Sequence, residues 1–133
     1  MKSYLLVFTL CLISAVVMAQ QDSCLPFKTG RFFYLDDSSN VVIIKRSQYK
    51  QEETEQVSGI KTTFKVKWIS DCEYYLTQLW SSNKVKRKQN HAITKVQITK
   101  VYNNKYEFLC ACYTPGTKVK YGIATKIVEE TKP

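Results

Sequence analysis

The stretch Ile60–Trp80, IKTTFKVKWISDCEYYLTQLW, constrains the fold of this chain more than any other. Ile60, Thr62, Phe64, Val66 and Trp68 alternate with Lys61, Thr63, Lys65 and Lys67. Side chains of a strand point to opposite faces in turn, so this is a half-buried strand with an apolar face and a lysine stripe. A helix would smear both sets around its circumference, and the β-branched and aromatic content also favours a strand. After a turn at Ser70–Asp71, Cys72, Tyr74, Leu76 and Trp80 share one face of a second strand, interrupted by Gln78. Tyr75, Thr77 and Leu79 share the other face, so this strand is expected inside a sheet.

The remaining chain repeats this grammar. Arg31–Leu35 is a short aromatic strand, and Asp36–Asn40 is a turn by composition. Val41–Arg46 is a β-branched strand, apolar until its charged end. Ser47–Gln56, SQYKQEETEQ, suits a polar edge strand, with a short helix or loop as alternatives. Ala92, Thr94, Val96 and Ile98 alternate within the strand His91–Val101, with a bulge expected near Lys100–Val101. Asn103-Asn104 is a hairpin turn before the strand Tyr106–Tyr113, which places Tyr106, Phe108, Cys110 and Cys112 on one face. Lys118–Val128 closes the chain, with Val119, Tyr121, Ile123, Thr125 and Ile127 on one face.

About eight short strands separated by turn signals, with no helical pattern, predict an all-β antiparallel meander. The links are short enough for neighbouring hairpins. That favours a small lipocalin-like barrel over the alternative, a β-sandwich. An eight-stranded barrel is just wide enough to be filled by side chains or to hold one small ligand. Bulky inward residues, Phe64, Trp68, Tyr74, Leu76, Phe108 and Tyr121, predict a filled or nearly filled interior.

The first residues are read apart from this domain. Lys2, the apolar run Tyr4–Met18 and the small-residue site Val17-Met18-Ala19 have the form of a secretory signal peptide over residues 1–19, leaving 20–133 as a single β-domain. The run is short of the ~20 residues that a membrane span needs, so no transmembrane segment is expected. Neither Cys11 nor Cys24 follows a lipid-attachment box. The expectation is an exported protein, periplasmic or secreted, soluble after cleavage and monomeric. Cleavage would remove Lys2 and no acid, taking the formal charge from +9 to +8.

Cys24, Cys72, Cys110 and Cys112 would remain. Export favours disulfides. The first choice is Cys24–Cys72, tying the N-terminal arm to the turn of the central hairpin. Cys110 and Cys112 would then form a strained second pair, stay as thiols or take other partners. Three pairings exist, and spacing does not choose among them.

Little points to catalysis, and an enzyme is the third-ranked reading. The chain has one histidine, His91, at a polar strand start, and no Gly-x-Ser-x-Gly elbow. Asp36-Asp37 reads as turn chemistry and Glu52–Glu55 as a solvated edge. Asp71 is expected to fix its turn by accepting local backbone N–H groups. Zinc sites usually show two Cys-x₂-Cys pairs, which are missing, so no metal or other cofactor is expected.

Cys24, Thr29-Gly30-Arg31-Phe32, Ile44-x-Arg46, Gln51-Glu52, Val66-Lys67-Trp68-Ile69-x-Asp71-Cys72-x-Tyr74-x-Leu76 and Tyr106-x-Phe108 together resemble a family of small exported β-sheet proteins of Bacteroidetes-type bacteria. The likeness runs over most of the chain beyond the signal. Some members carry the label DNA topoisomerase IV, which a short exported chain without nucleotide or metal machinery does not support. The resemblance implies a β-meander and no known activity. Cys24 and Cys72 match its pattern, which supports pairing them. The chain departs from many relatives by lacking a lipid-attachment cysteine, and Cys110-x-Cys112 is a local addition.

The leading expectation is a non-enzymatic binding or interaction module for a small apolar ligand or a protein. Phe64, Trp68, Tyr74, Leu76 and Phe108 are the candidate cavity residues. The alternative is a basic surface for an anionic polymer, such as polysaccharide, an envelope surface or nucleic acid, using Lys84, Lys86, Arg87 and Lys88.

Overall fold

The computed structural model describes residues 23–112 and 119–130, with the backbone alone for Cys112. The signal-peptide reading therefore lies outside the described residues. Eight strands close into one antiparallel barrel in chain order. They are β1 (Gly30–Leu35), β2 (Val41–Arg46), β3 (Lys50–Glu55), β4 (Lys61–Trp68), β5 (Glu73–Ser81), β6 (Ile93–Val101), β7 (Lys105–Cys112) and β8 (Lys120–Lys126). Pairing of β1 with β8 closes the ring, so the sheet is a barrel and not a sandwich. Two 3₁₀ turns, Leu25–Phe27 and Lys86–Gln89, flank the strands.

The inward stripe of β4 is as its alternation predicts: Thr62 and Val66 are buried, Phe64 and Trp68 partly so, and Lys61, Lys65 and Lys67 are exposed. The turn that follows is closed by Ile69 N and Ser70 N, both donating to Glu73 O, and is also tied to the arm. The Asp71 carboxylate accepts from Lys28 Nζ of the arm at 3.4 Å and not, as the sequence predicts, from local backbone N–H groups. Beside it Cys24 and Cys72 form a disulfide with Cα atoms 5.4 Å apart. This brings Phe27 under the barrel, where it packs edge-on against Tyr106 at 5.3 Å. Lys126 Nζ adds a bond to Pro26 O at 2.7 Å. One end of the barrel is thereby plugged.

Two bulges and one reversed strand modify the sequence reading. On β5, Gln78 pairs with Phe64 but Trp80 pairs with Thr63, so Leu79 is an extra residue. Beyond it Trp80 turns outward and Ser81 inward, where its hydroxyl is 3.1 Å from that of Thr62. On β6 the bulge falls between Ile98 and Lys100, one position before the expected place. On β8 the bulky face is the outer one: Tyr121 and Ile123 are exposed, while Ala124 is buried. Ala124 stands opposite Tyr106 and Gly122 opposite Phe108. A Cβ on Gly122 would lie 2.5 Å from the Phe108 ring, so the large residues of β7 leave room only for small ones on β8.

The polar strand β3 is no edge, because it is paired on both sides, with β2 and β4. Its Gln51 is fully buried. Ile44 faces Glu53, which in turn faces Thr62, placing Gln51, Glu53 and Glu55 on the inner wall.

Candidate functional site

The plugged end is built around one cation. Arg46, the charged end of β2, is buried inside the barrel. Its Nε donates to Gln51 Oε1 at 2.6 Å and its Nη1 to Phe27 O at 2.8 Å. Its Nη2 donates to the hydroxyls of Tyr74 at 2.8 Å and Tyr106 at 2.9 Å. The guanidinium also lies 4.7 Å from the Tyr74 ring centroid and 5.1 Å from that of Phe32. A buried charge is tolerable only when its donors are satisfied, and four of the five N–H groups here have acceptors. Burial works to lower the Arg46 pKa, but the neighbouring Tyr74 and Tyr106 hydroxyls and Glu53 leave it raised. The side chain is a permanent cation. Burial likewise pushes the Tyr74 hydroxyl far up, against the pull of Arg46, so it is a neutral phenol.

From Gln51 the network climbs the wall. Gln51 Nε2 donates to Glu53 Oε1 at 2.8 Å, and Tyr34 Oη donates to Glu53 Oε2 at 3.3 Å. Burial raises the Glu53 carboxyl above its usual range, while Gln51, Tyr34, Arg46 and Lys86 oppose the rise. Tyr34 is raised too, first by burial and then by the negative charge of Glu53. Higher still, Glu55 pairs with Lys86 of the second 3₁₀ turn, and this lysine holds the Glu55 carboxyl below its usual range.

Above the tyrosine pair the barrel is hollow. A cavity of about 400 Å³ opens at the end opposite the plug. Val42, Ile44, Leu76 and Val96 form its apolar wall, Tyr74 and Tyr106 lie on the side of the plug, and Glu53 interrupts the wall. The mouth carries Asp36, Asp37, Glu55, Lys86 and Lys120. Asp36 is held as a carboxylate, below its usual range, by the backbone N–H groups of Asn40 and Ser38. Asp37 pairs with Lys120 at 3.0 Å. The expectation of a filled interior holds only for the plugged half. Phe27, Phe32, Val66, Tyr106 and Arg46 crowd that half, whereas Tyr121 turns outward and β3 contributes polar side chains in the other.

Of the residues predicted to line a cavity, Tyr74, Leu76 and Phe108 do so. Phe64 packs on the core beside them. Trp68 belongs to the plugged end, with its ring 4.5 Å from that of Tyr74 and Lys28 Nζ 4.9 Å above it. Cys110 lines the cavity as well, and the Cys112 side chain, with the expectation of a second pair, lies outside the described residues. Glu53 and Glu55, read as a solvated edge, are on the cavity wall instead, because a closed ring leaves β3 no edge to occupy.

The basic loop is divided. Lys86 is committed to Glu55, Arg87 lies 6.0 Å from the Trp80 ring centroid, and Lys84 and Lys88 are exposed. A second basic surface lies on the outer wall, where Lys65, Lys67, Tyr75, Thr77, His91 and Ile93 line a shallow groove. Sequence reasoning missed Arg46, Gln51, Glu53 and Tyr34. The one signal available was that β3 alternates polar with polar, as a strand does when its inner face meets a cavity. Among the described residues, no three histidine, cysteine, aspartate or glutamate side chains converge on a metal position, and no helix is long and apolar enough to cross a membrane. Comparisons with protein-family models, with curated proteins and with solved structures return no match.

Proposed function

We propose that this chain is an exported, non-enzymatic binding protein whose barrel is a cup for one small ligand, and that it is a relative of the small exported β-proteins it resembles. The cavity carries this reading: about 400 Å³, closed below and open above. That lies within the roughly 300–1,000 Å³ of small-molecule sites, which are mostly apolar with a few placed polar groups. Export is supported by the leader-like pattern at residues 1–19 and by the Cys24–Cys72 disulfide, a bond of oxidising compartments.

The test is titration with N-phenyl-1-naphthylamine, a neutral apolar fluorophore. Saturable one-to-one enhancement is expected, and Val96→Trp, which fills the cavity, should abolish it in a folded protein. Lys65→Glu on the outer wall should leave it unchanged. Enhancement that survives Val96→Trp would sink the cup reading.

The outer wall favours a second reading, an anion-binding face. Lys50 stands directly opposite Lys65 across β3 and β4. Like charges in that position destabilise a sheet, and an anionic polymer would relieve them. Retention on heparin that falls steeply with salt and is lost in Lys65→Glu/Lys67→Glu is the expected result. Retention indifferent to salt would exclude it.

A further inference from the structure

The cup suits some ligands better than others, and one carboxylate decides which. Four of the eleven acids in this +9 chain, Asp36, Asp37, Glu53 and Glu55, line the cavity. Three are occupied: Asp36 by backbone N–H groups, Asp37 by Lys120 and Glu55 by Lys86. Those two pairs engage both lysines of the lining. Glu53 differs. Among the described residues neither it nor Asp36 has a Lys or Arg nitrogen within 4.0 Å, but Asp36 at the mouth accepts three hydrogen bonds from Ser38 and Asn40, whereas Glu53 sits below the mouth and accepts two, from Gln51 and Tyr34. Arg46 acts on it by charge but is hydrogen-bonded to it only through Gln51, with its other donors given to Phe27 and two tyrosines. A carboxylate has about four acceptor positions, so two hydrogen bonds leave capacity for a ligand donor.

We infer that the cup binds an amphipathic amine, with the ammonium group against Glu53 and the apolar body against Val42, Ile44, Leu76 and Val96. This rests on the cup reading above and names its ligand class. The four acids of the lining outnumber its two lysines together with Arg46 beneath it, which favours a cationic headgroup over an anionic one. Tyr34 and Phe108, edge to face at 6.0 Å, add aromatic surface to which an ammonium is attracted. Burial raises the Glu53 carboxyl against Gln51, Tyr34, Arg46 and Lys86, and a bound ammonium would pull it back down.

The experiment is displacement of N-phenyl-1-naphthylamine by decylamine, decanol and decanoate at pH 7, below micelle-forming concentrations. Three ligands of equal tail isolate the headgroup. Wild-type protein should bind decylamine about tenfold or more tighter than decanol, the worth of a charge-assisted hydrogen bond, and decanoate weakest. In Glu53→Gln the amine and alcohol should converge. Equal affinities, or decanoate tightest, in the wild type would overturn the amine assignment and leave the cup standing. An amine preference kept by Glu53→Gln would overturn Glu53 as its counter-ion. Failure of the fluorophore itself to bind would remove the cup and the inference together. The wild-type ranking decides the ligand class even if the variant does not fold.

Discussion

Arg46 and Glu53 are a base and an acid inside one small barrel, joined through the amide of Gln51. Their removal should have opposite consequences. Arg46→Met leaves Phe27 O, Gln51 and two tyrosine hydroxyls without their donor, and the loss should be about 3–5 kcal/mol, read as a lower urea midpoint. Glu53→Gln should be mild and its effect should depend on pH. The Glu53 carboxyl is raised on folding, so between the ordinary value of 4.5 and its folded value the native chain holds a proton that the unfolded chain has released. Stability therefore falls as pH rises through that window, and below 4.5 the burden is absent. The rise persists although Gln51, Tyr34, Arg46 and Lys86 all favour the carboxylate. Asp36 and Glu55, lowered on folding, work in the other direction at more acid pH, and they are common to both proteins. Denaturation at a series of pH values should show the variant gaining on the wild type as pH rises above 4.5. Parallel curves would contradict this.

At the scale of elements, the outer and inner walls were unequally legible. The lysine face of β4 could be read directly, since charged and apolar residues alternate without interruption. Alternation reports that two faces differ, however, and not which of them is inside. On β8 both faces carry apolar residues, and the choice is made by the volume of Tyr106 and Phe108 on the neighbouring strand. On β5 one extra residue, Leu79, exchanged the sides of Trp80 and Ser81. Arg46 stands at a strand end, where a charge ordinarily faces water. Its partners Phe27, Tyr74 and Tyr106 are 19 to 60 positions away, beyond any local pattern. For β8 the steric argument can be tested. Gly122→Ala places a methyl within 2.5 Å of the Phe108 ring, which must shift at the cavity wall. A loss of roughly 1–3 kcal/mol and weaker fluorophore binding are expected. Adding Phe108→Leu should restore much of the stability; a double variant no better than the single would show that the two side chains do not oppose each other.

For the molecule as a whole, the disulfide does two jobs. It closes a chain segment of 48 residues, and it holds Phe27 beneath the barrel. Replacing both cysteines with alanine should cost about 4 kcal/mol in the chain-entropy model, measured in denaturant without reductant. It should also weaken ligand binding, because the floor beneath the tyrosine pair is no longer held. The retained stability of a barrel whose neighbours are successive in sequence should still allow folding in mild conditions.

Closure, too, has a weakest place. Seven of the eight strand-to-strand seams join successive strands through five to seven register pairs. The eighth joins the first strand to the last through two, Phe32 with Lys126 and Phe33 with Thr125, continued past β8 by Ile127 N donating to Arg31 O at 2.8 Å. A ring with one short seam behaves as a zip. Its amides on β1 and β8 should exchange with heavy water ahead of those on β4 and β5, at a free energy below that of global unfolding. When it parts, a sheet without edges acquires two at once, and each is a template onto which the matching strand of another molecule can pair. The feature that completes the cup is thus also the place where one barrel could be shared between two chains.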